Sequence, residues 1–268
     1  IIDKLEKFFQ TQQHRTVHTA SGTIWMDMTA RNLVKKKALA GVCGAFSKRM
    51  YQTIEKSGKD VDPLDVEWGK SIKPEDVMEA LAKDDYDTVA IVHNETSTGV
   101  RNPITEIGKA VKDEYPDIMF VVDAVSSAGG DYLVPEELNT DLLFTSTQKC
   151  FALPPGLSMA FYSDAALERA EQVPGRGHYT DLLALHKYWL KKKQNPTTPN
   201  VSLMYALSYQ LERMVAEGPK ARYERHKAMA EYTRQWAEKR FSMFPEKGYG
   251  SVTVSTIANS IGKDIAAL

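Results

Sequence analysis

Residues 119–130, MFVVDAVSSAGG, and 142–156, LLFTSTQKCFALPPG, decide how this chain is read. Each begins as a short apolar run rich in β-branched or aromatic side chains and ends among small and turn-forming residues, the pattern of a buried strand. Each run opens into a loop that carries one charged side chain, Asp123 in the first and Lys149 in the second. In open sheets covered by helices, ligands bind beyond the carboxyl ends of the strands. An acid and an amine are thus delivered toward one place.

Working outward, the same alternation of short apolar runs and amphipathic stretches covers most of the chain. Strands are expected at Ala38–Cys43, Val61–Val66, Thr88–His93, Met119–Val122, Leu142–Ser146, Leu157–Tyr162 and Val252–Ile257. Helices fit between them: Pro103 opens one in which Ile104, Ile107, Val111 and Tyr115 recur at helical spacing, and another begins near Pro74. From Val201 to about Phe241 the pattern is helical, broken at Gly218-Pro219, with Val201, Met204, Leu207, Leu211 and Val215 as a core-facing stripe. The charged stretch KARYERHKAMAEYTRQWAEKR is expected to cover the surface. The pattern predicts an α/β fold, a mostly parallel sheet sandwiched by helices. Residues 1–18 form an N-terminal segment, 19–245 a large domain, and 246–268 the start of an incomplete C-terminal small domain, with a helix beginning at Asp264.

Composition narrows the function classes. The 268 residues are 43% hydrophobic and carry a formal net charge of −1, enough apolar material for one large core and no basic field to attract nucleic acid or an anionic membrane. The lysine runs at 35–37 and 191–193 are read as solvated ends of elements. No stretch approaches the ~20 apolar residues that span a bilayer. Cys43 and Cys150 lack the spacing of a zinc site, so a reducing, cytoplasmic setting without structural metal is expected.

Several polar segments follow the predicted strands. Ser21-Gly22-Thr23 precedes a helical stretch ending near Leu33, with a serine N-cap, a glycine that admits close approach and a threonine hydroxyl, a ready anion site. The segment HNETSTGVRNP, 93–103, offers Thr96 as a hydrogen-bond donor, while His93 and Glu95 read more simply as packing and turn residues. Lys149, flanked by Gln148 and Cys150 and followed by Phe151 and Pro154-Pro155-Gly156, keeps company that disfavours solvation. A desolvated lysine amine is nucleophilic. A lysine that condenses with an aldehyde, and a carboxylate that pairs with a ring nitrogen, are the two contacts pyridoxal phosphate requires.

The motifs SGT, HNETSTGV, VDAVSSAGG and STQKCFALPPG, in this order, resemble the class V aminotransferases, most nearly the branch of alanine–glyoxylate and serine–pyruvate aminotransferases. The resemblance runs from about Thr19 to Ile257 and implies fold type I, a pyridoxal phosphate cofactor and a homodimer. It implies that Lys149 forms the Schiff base and moves a proton, and that Asp123 binds the ring nitrogen. Val125 would lie beneath the ring, with Phe46 over its other face and Trp25 as the alternative aromatic. Ser21, Gly22, Thr23 and Gln148 would hold the phosphate and Thr96 the phenolic oxygen, and Thr198 would reach the phosphate of the partner subunit. The implied reaction moves an amino group from a small amino acid, alanine or serine, to a small 2-oxo acid, glyoxylate or pyruvate. The alternatives are a lyase or cysteine desulfurase of the same fold, or a truncated, non-catalytic module that binds the cofactor. The family's Gly/Pro-rich opening and its carboxylate-binding arginine have no counterpart in these 268 residues.

Overall fold

Alternate residues of 88–92, 119–123 and 142–146 enter two different cores. Val89, Ile91, Phe120, Val122 and Leu143 join one buried cluster; Ala90, Val92, Met119, Val121, Leu142 and Phe144 join the other. Side chains of a strand point to opposite faces in turn, so strands buried at every position must be covered on both sides. The computed structural model describes residues 1–260, 262 and 264.

The chain opens with α1 (Ile2–Phe9), β1 (His14–His18), α2 (Thr23–Asn32), β2 (Lys37–Val42), α3 (Ala45–Lys56) and β3 (Asp60–Asp65). It continues through α4 (Pro74–Leu81), β4 (Thr88–Val92), the short hairpin β5 (Asn94–Glu95) and β6 (Val100–Arg101), α5 (Ile104–Glu114) and β7 (Met119–Asp123). Then come β8 (Leu142–Ser146), β9 (Ser158–Tyr162), α6 (Asp164–Gln172), α7 (Leu182–Lys192), α8 (Val201–Glu217) and α9 (Pro219–Ala237). Last are two short strands, β10 (Ser242–Met243) and β11 (Ile257–Ala258).

Among the described residues the main sheet has seven strands in the order β1-β9-β8-β7-β4-β2-β3. The run from β8 to β3 is parallel, and β9 and β1 close one side antiparallel. Because β2, β4, β7 and β8 are parallel, their carboxyl ends share one rim. Helices α1, α4, α5 and α8 cover one face, and α2, α3, α6 and α7 the other. The opposite border, β3, carries Asp60, Pro63 and Asp65 exposed, with Asp62 ion-paired to Lys37. No helix among the described residues is long and apolar enough to cross a membrane.

The predicted strands from Ala38 to Tyr162 appear within a residue of their expected bounds. Residues 1–18 supply α1, which packs on α8, and β1, which borders the sheet. The strand expected at Val252–Ile257 is not formed: only Ile257–Ala258 pairs, with Ser242–Met243. Hydroxyls decide this locally. Ser251 Oγ accepts the N–H groups of Thr253 and Val254 at 3.1 Å, a turn that competes with extended pairing. The helix expected from Asp264 falls on residues outside the described set, apart from Asp264 itself.

The stripe of α8 also differs. Its buried side chains are Leu203, Leu207, Leu211 and Met214, whereas Val201 at the helix start is 53% exposed. Met204 and Val215 lie partly buried beside this stripe. The Gly218-Pro219 break is where expected, with Gly218 at φ 85° ending α8 and Pro219 opening α9. Replacing Leu207 by Ala is expected to cost about 2–5 kcal/mol in urea denaturation. Val201→Ala should change stability by no more than ~0.5 kcal/mol; equal costs would contradict the stripe seen here.

Candidate active site

The shared rim gathers the loops after β2, β4, β7 and β8 around a cavity of about 180 Å³. Ser21, Gly22 and Thr23 line it from the start of α2, Phe46 from the start of α3, and Thr96 from the β5–β6 hairpin. Asp123 and Val125 reach it from the end of β7, and Gln148 and Lys149 from the loop after β8. Nine of the ten expected site residues therefore meet in one place. Thr198 does not. It lies in the connection between α7 and α8 and lines a separate cavity of about 700 Å³ with Ile2, Val17, Trp189 and Met204. Trp25, the alternative aromatic, is fully buried with its indole N–H donating to Ser158 Oγ at 2.9 Å, so Phe46 is the aromatic at the cavity.

Asp123 is 4% exposed, and its Oδ1 accepts the Val125 N–H at 2.8 Å. Burial pushes its carboxyl up to about 7, against the downward pull of that N–H; Glu95 adds to the rise, while Lys149 and Arg49 oppose it. A carboxylate so placed favours a cation as its neighbour. Lys149 is half-buried, and its neighbour Phe151 turns inward to stack on Phe9. Among the described residues its Nζ makes no hydrogen bond or ion pair.

The phosphate end differs in detail from expectation. Gly22, not Ser21, is the N-cap of α2, and no side chain caps that helix. Ser21, Gly22 and Thr23 line the cavity wall there; the N–H groups of Ile24 and Trp25 turn back to Ser21 O and Gly22 O, while those of Gly22 and Thr23 remain at the helix start, where the dipole favours an anion. A Cβ on Gly22 would stand 2.7 Å from Val125 Cγ2 and 3.4 Å from Ser146 Oγ, so only glycine lets α2 approach the β7 and β8 loops. Ser146 Oγ and Gln148 Oε1 are buried without a hydrogen-bond partner. Buried polar atoms without partners are uncommon and mark places where a ligand completes the network. A glycine-walled phosphate cradle, unpaired polar atoms and a buried carboxylate without a cation together fit pyridoxal phosphate.

His93 and Glu95 serve structure. His93 Nδ1 pairs with Ser127 Oγ at 2.9 Å, and burial lowers its imidazole to about 4, keeping it neutral. Glu95 accepts the N–H groups of Phe46, Ser47 and Ser97 and the hydroxyls of Ser47 and Ser97, at 2.7–3.1 Å for the nearer oxygen in each case. It therefore anchors the start of α3 and fixes Phe46. Gly44 is glycine for the same reason: a Cβ there would sit 2.5 Å from Glu95 Cγ. Burial raises both cysteine thiols, Cys43 and Cys150, to about 11, so neither is the thiolate a desulfurase needs.

Sequence reading missed Met26, Arg49, Val92, Asn94 and Ser126, which also line the cavity. Arg49 had a signal available, since it lies one helical turn after Phe46, and its guanidinium rests 4.8 Å from the Phe46 ring centre. Asn94 had none: its amide donates to Ser251 Oγ at 2.6 Å and Thr253 Oγ1 at 2.8 Å, contacts across more than 150 residues.

The Asp123 carboxyl carries a definite pH signature. Its folded-state value lies above its ordinary one, so its contribution is favourable at low pH and is lost as pH rises from about 4 to about 7. Cofactor-free Asp123→Asn should therefore exceed the cofactor-free wild type by roughly 2–4 kcal/mol at pH 8 and match it near pH 4 in urea denaturation. Equal stabilities at both pH values would show that the carboxylate is not buried uncompensated.

Comparison with known proteins agrees with this geometry. The family model described as aminotransferase class-V matches residues 2–248. An uncharacterized aminotransferase of Methanocaldococcus jannaschii is 43% identical over 260 residues, covering 95% of this chain and 67% of that protein. The serine–glyoxylate aminotransferase of Methylorubrum extorquens is 35% identical, covering 99% and 69%. The crystal structure of alanine–glyoxylate aminotransferase from Nostoc sp. superposes with a TM-score of 0.93 at 29% identity, covering 99% of this chain and 72% of that one. The chain thus spans about two thirds of the length of these relatives. It belongs to the class-V aminotransferases, enzymes of the pyridoxal-phosphate-dependent fold, and pyridoxal phosphate is its cofactor.

Proposed function

We propose that this enzyme transfers the amino group of a small amino acid, alanine or serine, to a small 2-oxo acid, glyoxylate or pyruvate. The observation that carries the reading is the convergence of Asp123 and Lys149 on one cavity whose wall is the uncapped start of α2. The substrate classes follow relatives named for serine–glyoxylate and alanine–glyoxylate transfer.

When bound, pyridoxal phosphate supplies an aldehyde that takes up the amino group and a ring that withdraws electrons from the reacting carbon. The protein's side chains do the rest. Lys149 Nζ would hold the cofactor by its aldehyde carbon and would be the base placed to take the proton from the donor's α-carbon. Asp123 would hold a proton on the ring nitrogen, and that ion pair would offset the burial that raises its pKa. Phe46 and Val125, which both line the cavity, would flank the ring and exclude water. Ser21, Thr23, Gln148 and the N–H groups of Gly22 and Thr23 would take the phosphate, and Thr96, held 2.5 Å from Ser126 Oγ, would donate to the phenolic oxygen.

We further propose that the chain works as a homodimer in which Thr198, remote from its own cavity, reaches the partner's phosphate. Residues 246–268 are proposed as the beginning of a smaller domain following the large unit of 19–245. The cytoplasm is the proposed compartment.

Two measurements test the central reading. Borohydride treatment should fix the cofactor's mass on the wild-type protein and leave Lys149→Ala unlabelled. Conversion of L-alanine or L-serine with glyoxylate should fall at least ~100-fold in that variant. Undiminished labelling of Lys149→Ala would place the covalent link elsewhere, and wild-type turnover of neither donor would remove the proposed substrates.

A further inference from the structure

Arg222 lies in the stretch that the sequence assigns to the surface, yet it is 8% exposed. It sits in the first turn of α9, its N–H donating to Gly218 O at 3.0 Å across the helix break. Its guanidinium is used in three directions. Nε donates to Gly129 O at 2.5 Å, one terminal nitrogen to Cys150 O at 2.7 Å, and the other to Glu217 Oε2 at 2.7 Å. Gly129 belongs to the loop that begins at Asp123, and Cys150 is the residue after Lys149. We propose that Arg222 is a positioning residue that locks these two loops together and so fixes the spacing of the carboxylate and the amine that hold the cofactor. The inference rests on the roles proposed above for Asp123 and Lys149.

Three further observations support a clamp. The two loops touch where it grips: a Cβ on Gly129 would lie 3.3 Å from Phe151 Cε2, and one on Gly130 would lie 2.9 Å from Cys150 Sγ. Gly129 also has φ +90°, which favours glycine on its own account. The clamp is itself anchored, because Glu217 is gripped at 2.6 and 3.1 Å by Arg225 as well as by Arg222. A guanidinium has five donors in a rigid fork, so it can hold two carbonyls and a carboxylate at fixed separations, which a flexible amine cannot. Displacements near 1 Å in a supporting layer are enough to cost catalysis heavily.

The chain contains its own control. Arg169, in α6, donates to the carbonyls of Leu33, Asp87 and Asp117 at 3.0–3.2 Å and pairs with Asp87, at the end of the sheet remote from the cavity. It is a comparable buried clamp that holds no catalytic loop. The experiment compares wild-type holoenzyme with Arg222→Met, Arg222→Lys, Arg169→Met and Lys149→Ala. It reads melting temperature, cofactor dissociation constant and the pH midpoint of the bound-cofactor absorbance.

Both Met variants are expected to melt lower. Only Arg222→Met should weaken cofactor binding about tenfold and move the absorbance midpoint by about half a unit or more. Arg222→Lys, able to keep one carbonyl contact, should fall between it and the wild type. Wild-type affinity and midpoint in Arg222→Met, or equal shifts in Arg169→Met, would overturn the clamp. Should Arg222→Met fail to fold, Arg222→Lys carries the same comparison. A pH-dependent absorbance surviving unchanged in Lys149→Ala would instead refute the cofactor reading itself, and the clamp with it.

Discussion

A carboxylate enclosed by protein without a positive partner is costly, and that constraint organises this molecule. Asp123 stands at the end of β7 with one oxygen satisfied by its own loop and burial pressing its acidity down. The surrounding strands are parallel, so the residues able to complete the pair arrive at the same rim. Lys149 comes from the loop after the neighbouring strand, Ser21–Thr23 from the start of α2, and Phe46 from the start of α3. The fold's contribution to chemistry is mainly that of bringing sequence-distant groups to one rim before any ligand is present.

Much of the precision comes from groups that never face a substrate. Glu95, fully buried, gathers the start of α3 and the β5–β6 hairpin around its two oxygens. Glycines at 22, 44 and 130 admit approaches that a Cβ would block, and Gly129 holds a φ of +90°. Arg222 and Glu217 bind the loops from behind. Each device replaces loop freedom with a hydrogen-bonded geometry, a form of preorganisation suited to placing charge.

Period-two burial and turn chemistry made the central strands readable from residue order alone, because each strand there is apolar on both faces and ends in a polar loop. The convergence of Asp123, Lys149, Ser21 and Thr23 was readable for a related reason: each is polar where a buried strand or helix start opens onto a cavity. What escaped depends on partners far along the chain. Arg222 looks like any other charge on a solvated helix until Gly129 and Cys150 are found beside it. The Val252–Ile257 segment has strand-forming side chains, yet Asn94 and Ser126 engage Thr253, and Ser251 binds its own turn. The α8 stripe was displaced by two residues at its start because hydrophobicity alone does not say which apolar side chain of an exposed first turn meets the core.

The outer border at β3 has a consequence for the company the sheet can keep. A strand edge with free backbone groups is a template on which another polypeptide can dock. Here Pro63 lacks the amide hydrogen that such docking needs, and the exposed acids Asp60 and Asp65 place negative charge beside it. Among the described residues, that border is poorly suited to accept a further strand.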